Sequence, residues 1–219
     1  ETAVHLEIAR VNLQHFHDYD AALKSAQEAL FCSSHSDEAL FLRAEAFLRK
    51  GDTTSALRDY EEMLERNSND PWPYMYKAQC LASLKCGRLA LHAYIKSLKL
   101  FPHSVETETR VGELQMILDD FMQAVKTLRQ AVSEEDTIEN SCLLGEALLG
   151  VGDMSGAIEV LQSVISRDPN SLRGYNTLGK CYLKMERYHD ASECFENAVK
   201  LNPKDPVAYS HRGVCKTMV

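Results

Sequence analysis

Two histidines, His15 and His17, stand one residue apart and form the only close pair among the eight in the chain. A zinc site needs three or four converging donors. No third donor lies near this pair in sequence, so it reads as an exposed polar turn and no metal is expected. The seven cysteines, at 32, 80, 86, 142, 181, 194 and 215, are odd in number and show no C-x-x-C spacing. A disulfide framework or a structural zinc would require pairing. The thiols therefore read as free and mostly buried, as in a reducing, cytoplasmic setting. Cys86, in a turn, is the one expected at the surface. Adjacent carboxylates such as Glu61-Glu62 and Asp119-Asp120 point in different directions on a helix or sit in a turn, which is unsuited to an acid–base pair. No glycine-rich phosphate loop and no G-x-S-x-G elbow is read. No catalytic residue and no cofactor is expected, and the chain reads as a binding module rather than an enzyme.

The bulk properties narrow the partner. Over 219 residues, 24 Lys and Arg stand against 32 Asp and Glu, a net charge of −8. Nucleic-acid binders need a basic face that displaces counterions from phosphate, so none is expected here. No apolar run approaches the ~18 residues of a membrane span. With 45% hydrophobic residues the composition is that of an ordinary globular chain. The chain opens at Glu1 without a charged-then-apolar leader and reads as an interior piece of a longer protein.

A period of 34 residues dictates the elements. Tyr175, Leu178, Gly179, Tyr182, Ala191, Phe195, Ala198 and Pro203 recur, shifted by 34, as Ser141, Leu144, Gly145, Leu148, Ala157, Leu161, Val164 and Pro169. Upstream, Tyr74, Ala78, Leu81, Ala90, Tyr94 and Pro102 fill matching slots, as do Leu40, Ala44, Phe47, Ala56, Tyr60 and Met63. Apolar spacings of three and four within each unit predict two antiparallel helices and a short turn. Asp70-Pro71 and Asp205-Pro206 each place a capping carboxylate before a proline at a helix start. Gly51-Asp52 and Gly152-Asp153 punctuate the turn inside a pair. The small slot held by Gly179, Gly145, Gly112, Ala78 and Ala44 lets paired helices approach closely. Two units fit worst. The first has Arg10 at the small slot, and the fourth has Glu108 at the aromatic slot and is one residue short. Ser133 to Asp136 is therefore where the largest departure from regular stacking is expected.

This pattern resembles the tetratricopeptide repeat (TPR) family, whose motif is W-x2-L-G-x2-Y followed by A, F, A and P. The resemblance implies an all-α, right-handed α-α superhelical solenoid. It divides one domain, 1–219, into repeats 3–36, 37–70, 71–104, 105–137, 138–171 and 172–205, with the first helix of a seventh at 206–219. In this family the first-helix slots 2, 5 and 9 line a concave groove that holds a partner protein or peptide. Carried over by register, those slots hold Glu38, Phe41 and Glu45, then Trp72, Met75 and Gln79, then Glu106, Thr109 and Glu113. They continue as Glu139, Cys142 and Glu146, then Arg173, Asn176 and Lys180. Six glutamates form an expected acidic wall, with Phe41, Trp72 and Met75 as an apolar anchor, and Arg173, Lys180 and Lys184 reverse the sign in the sixth repeat.

The resemblance thus implies a non-catalytic scaffold, and the acidic wall points to a basic-plus-apolar partner segment. The alternative is a chaperone-adaptor module. The Lys/Asn/Asn/Lys/Arg carboxylate clamp of such adaptors is missing from the opening repeats, where Glu7, Val11, Leu42, Trp72 and Tyr76 stand, and Asn176 and Lys180 only begin one. The last helix has no second helix behind it. Its Val214, Cys215, Met218 and Val219 are expected to be partly bare, marking a cut through the array or a self-association surface.

Overall fold

The structure, a computed structural model, describes residues 1–218; Val219 and the expectation attached to it lie outside the described residues. The chain divides into two compact units, residues 1–102 and 103–219. The described residues form thirteen α-helices and no strand.

The first unit holds three antiparallel pairs: α1 (Thr2–Val11) with α2 (Tyr19–Cys32), α3 (Asp37–Lys50) with α4 (Thr53–Arg66), and α5 (Pro71–Ser83) with α6 (Gly87–Leu100). The second holds α7 (Val105–Ile117) with α8 (Phe121–Glu134), α9 (Ile138–Val151) with α10 (Met154–Arg167), and α11 (Leu172–Lys184) with α12 (Tyr188–Leu201). The single helix α13 (Pro206–Met218) follows. Within the second unit the first helices α7, α9, α11 and α13 touch in succession, and each second helix packs against the first helices on either side. This brings the first helices together along the inner face of the unit.

Local chemistry sets the boundaries. Asp18, Asp52, Asp120 and Asp153 accept backbone N–H bonds at the starts of α2, α4, α8 and α10. Asp70 and Asp205 accept from the N–H of Trp72 and Val207, each just after the proline that opens the helix. Cys86 and Arg187, the residues just before α6 and α12, supply no side-chain cap. The turn inside each pair needs one residue with positive φ. Glycine supplies it only at Gly51 and Gly152, whereas His17, Lys85, Asp119 and Glu186 carry it elsewhere against the usual steric preference.

The small slot works by facing one large side chain. A Cβ on Gly112, Gly145 or Gly179 would come within 2.5, 2.7 and 2.6 Å of Leu128, Leu161 and Phe195 on the paired helix. All three large side chains are fully buried.

Both irregular units have a physical account. Residues Asn12–Phe16 form a π-helical turn, which inserts one extra residue between α1 and α2. Ahead of it the register slips by one. The buried residue at the crossing is Ala9, while Arg10 turns outward to pair with Glu7 and Glu38. In the fourth unit the linker from α8 to α9 is residues 135–137, one shorter than the linkers at 67–70, 168–171 and 202–205. Side chains take over from the missing turn. Asn140 Nδ2 donates to the Glu135 carbonyl at 3.1 Å, and Ser141 Oγ donates to Asp136 at 2.6 Å. Arg167 reaches the same carboxylate at 2.7 Å. These bonds hold the Asp136 carboxyl below its usual range, the Ser141 bond first and Arg167 next.

Candidate functional site

One concave opening lies wholly within the second unit. It is a cavity of about 580 Å³ on the inner face, where α7, α9 and α11 run side by side. Its apolar part is Met116, Ile117, Phe121, Leu143 and Leu149. Its charged part is Glu113, Glu146, Arg173, Lys180 and Lys184. The periodic pattern explains this mixture. Residues one turn past the core slots, at the C-terminal ends of α7 and α9, leave the helix–helix seam and face the hollow instead. Ile117 shows the result, with 73% of its surface exposed despite being a large aliphatic side chain. Gly150 lets the Phe121 ring lie close against α9: a Cβ there would stand 2.3 Å from the ring.

The charges around the cavity are unequally engaged. Arg173 holds Glu146 in a two-pronged pair, Nε to Oε1 and Nη2 to Oε2, both at 2.7 Å. That hydrogen bond, opposed by burial, raises the Arg173 pKa. Glu113 accepts from Arg110 at 2.9 Å. Lys180 and Lys184 make no ion pair among the described residues. Asp205, whose carboxyl is lowered chiefly by Asn176 and further by the charge of Lys180, spends its oxygens on Asn176 Nδ2 at 2.7 Å and the Val207 N–H at 3.0 Å.

The other groove residues expected in this unit fall into two groups. Glu106 and Glu139 are exposed and make no ion pair among the described residues, beside a smaller recess of about 210 Å³ that Thr109, Arg110 and Asn140 also line. Thr109 and Asn176 are structural. Thr109 is buried, donates to the Val105 carbonyl and meets Asn140 Oδ1 at 2.8 Å. Asn176 ties α11 to the start of α13 through Asp205. Cys142 is buried at 3.7 Å from the Ser171 hydroxyl, and burial raises its pKa.

In the first unit, Glu38 pairs with Arg10, and Glu45 pairs with Arg49 at 3.4 Å. Phe41, Trp72 and Met75 have different surroundings. Phe41 stands edge-on to Tyr76 at 5.1 Å beside the stacked Tyr60–Tyr76 pair. Trp72 is 52% exposed with its ring 6.0 Å from that of Phe101. Met75 is buried at 5% and offers little surface. Gln79 is partly buried.

Sequence reasoning passed over Met116, Ile117, Phe121, Leu143, Leu149 and Gly150. The available signal was Ile117 and Leu149, apolar residues placed beyond the last core slot of their helices. The run from Gly174 to Lys180 does have G-x-x-x-x-G-K spacing. It lies inside α11 with Gly179 against Phe195, so its backbone N–H groups are spent in the helix and cradle no phosphate. His15 and His17 are exposed, and no three His, Cys, Asp or Glu side chains among the described residues gather as a metal would require. No described helix is long and apolar enough to cross a membrane.

Models described as tetratricopeptide repeat match residues 13–71, 143–171 and 172–205. Hsp70-Hsp90 organizing protein 2 of Arabidopsis thaliana is 23% identical over 200 residues, covering 91% of this chain and 30% of that protein. TPR repeat-containing protein MJ1428 of Methanocaldococcus jannaschii is 26% identical over 199 residues, covering 87% and 29%. The chain thus spans under a third of the length of these relatives. Among solved structures, YrrB, described as a TPR protein with an unusual peptide-binding site, superposes with a TM-score of 0.78. It is 18% identical and covers 88% of this chain and 100% of its own. That likeness shows the α-α superhelical solenoid fold; the three matched segments, which together cover more than half of the chain, establish that it belongs to the tetratricopeptide repeat family.

Proposed function

We propose that this chain is a non-catalytic protein-interaction scaffold. In it the inner face of residues 103–218 holds a segment of a partner protein by seating an apolar side chain in the cavity between α7, α9 and α11. The observation that carries the reading is the cavity itself. It is a concave opening of about 580 Å³ lined by both apolar and charged side chains, in which Ile117 stands largely bare. TPR relatives bind protein or peptide partners through this kind of array, and YrrB is described as having a peptide-binding site. A reducing, cytoplasmic setting is part of the proposal and rests on seven unpaired thiols.

The preference for basic segments is confined to the edge formed by Glu106 and Glu139. Elsewhere Glu38, Glu45, Glu113 and Glu146 already have arginine partners, which reduces their pull on an incoming cation. A chaperone-adaptor role is the second reading, favoured by the organizing-protein relatives. Its partial clamp has Asn176 engaged with Asp205, so it would require that bond to open for a terminal carboxylate. Self-association through α13 is a third element of the proposal, carried by the exposed Val207, Tyr209, Val214 and Met218.

The test is selection of random dodecamer peptides displayed on phage against the wild-type chain and against Ile117→Asp. The substitution is at an exposed position and leaves the core intact. Peptides with a large apolar residue should be recovered on the wild type and lost on the variant. Recovery that is equal on both proteins would overturn the cavity as the binding site.

A further inference from the structure

We infer that the partner segment carries an aspartate or glutamate next to its apolar anchor, and that Lys180 and Lys184 receive that carboxylate while the anchor enters the cavity. The inference deepens the reading above and rests on it.

The argument is a charge balance around one opening. Three cations and two carboxylates line it. Glu146 is held by both prongs of Arg173, and Glu113 by Arg110, a residue of the same helix one turn away. With the carboxylates engaged, Lys180 and Lys184 remain, four residues apart on α11 and therefore on one face of it. Asp205, another carboxylate on which the charge of Lys180 acts, already spends its oxygens on Asn176 and on the Val207 N–H. Lys180 is partly buried and Lys184 exposed. An incoming carboxylate would therefore meet one lysine at the mouth and another deeper in.

The apolar half of the cavity lies across from them. Met116 and Ile117 come from α7, and Leu149 from α9, whereas the lysines come from α11. A segment crossing these helices would present its apolar side chain to α7 and α9 and its acidic one to α11. This is charge complementarity coupled to a fixed apolar anchor, which sets register as well as affinity. A lysine or arginine in the same place would be repelled by the two ammonium groups.

The experiment uses the same dodecamer display, scored for composition around the apolar anchor, on the wild type, on Lys180→Glu/Lys184→Glu and on Ile117→Asp. The expected result is enrichment of Asp or Glu within a few residues of the anchor on the wild type. On the double charge reversal, the bias should switch toward Lys or Arg. A synthetic acidic–apolar peptide taken from the wild-type selection should bind the double variant at least about tenfold more weakly by fluorescence anisotropy. Peptides that require Ile117 but show no acidic bias, or a basic one, would overturn the lysine assignment and leave the cavity reading standing. Peptides indifferent to Ile117 would overturn both. Retention of the wild-type helical circular dichroism by each variant separates these outcomes from unfolding.

Discussion

Gly179 and Gly213 occupy the same slot in consecutive repeats, yet they should respond to alanine in opposite directions. A Cβ at Gly179 would stand 2.6, 2.8 and 2.9 Å from the Cζ and the two Cε atoms of Phe195. Carbon atoms pack best near about 3.5–4.0 Å. Phe195 is fully buried and its ring is rigid, so the ring or α12 must shift. Overpacking of this kind costs about 1–3 kcal/mol. Alanine returns about 1 kcal/mol through helix propensity, which leaves Gly179→Ala destabilised by up to about 2 kcal/mol. At Gly213 nothing lies within 4 Å, so only propensity acts. Gly213→Ala should stabilise α13 by about 0.5–1 kcal/mol. At about 2–4 °C per kcal/mol for a chain of this size, the melting temperatures should separate by several degrees, read by calorimetry. Repeats contact only their neighbours, so amide exchange in α11 to α13 gives the local reading. A Gly179→Ala protein that melts at or above wild type would refute the claim that Phe195 fills the space beside Gly179.

Glu108 sits at the aromatic slot, 3% exposed, accepting from Gln130 at 2.7 Å, with its other oxygen unpartnered. Burial raises its pKa first and the charge of Glu134 raises it further, while His103 opposes. A carboxyl raised in the folded state contributes fully below its unfolded value, and that contribution is lost as pH rises through the folded value. Glu108→Gln should therefore gain about 1–3 kcal/mol over wild type near pH 8 and converge with it near pH 4, by urea midpoints; a pH-independent difference would contradict this. Arg43 holds the buried Asp59 through bonds of 2.9 and 2.7 Å. Arg43→Met should cost up to about 3 kcal/mol, and Arg43→Met/Asp59→Leu should recover most of it; a double variant no more stable than the single would show that the stranded charge is not the cause. Cys32 and Cys86 are exposed, whereas burial pushes Cys80 and Cys181 up to about 11 and Cys194 up to about 12. A thiol reagent near pH 8 should label two cysteines quickly and the other five only on unfolding; a third fast thiol would contradict the burial.

The helices were legible because each repeat writes the same contact rule. Gly112, Gly145 and Gly179 announce the close crossing, and Asp52, Asp70, Asp153 and Asp205 announce the helix starts. Register was lost where the rule is broken by a backbone feature with no residue signature. The π-helical turn after Val11 moves the small slot to Ala9, which a fixed 34-residue frame cannot represent. The groove was legible in position but less so in charge. Glu146 looked like a free carboxylate until Arg173, 27 residues away, proved to lie beside it on the neighbouring first helix, α11. Arg10 does the same for Glu38. Such pairs depend on the separation of neighbouring first helices, a distance that periodicity does not encode. Cys32 escaped notice for a related reason: it ends α2 on its outer side, and only the packing direction reveals that.

Methyl NMR on the wild-type chain, titrated with the acidic–apolar peptide from the display selection, tests the central claim most directly. The account predicts shift changes concentrated on Met116, Ile117, Leu143 and Leu149, with the amides around Lys180 and Lys184 following the same binding curve. Changes centred on exposed methyl-bearing side chains away from the cavity, such as Leu89 and Leu100, with the cavity methyls unmoved, would contradict it.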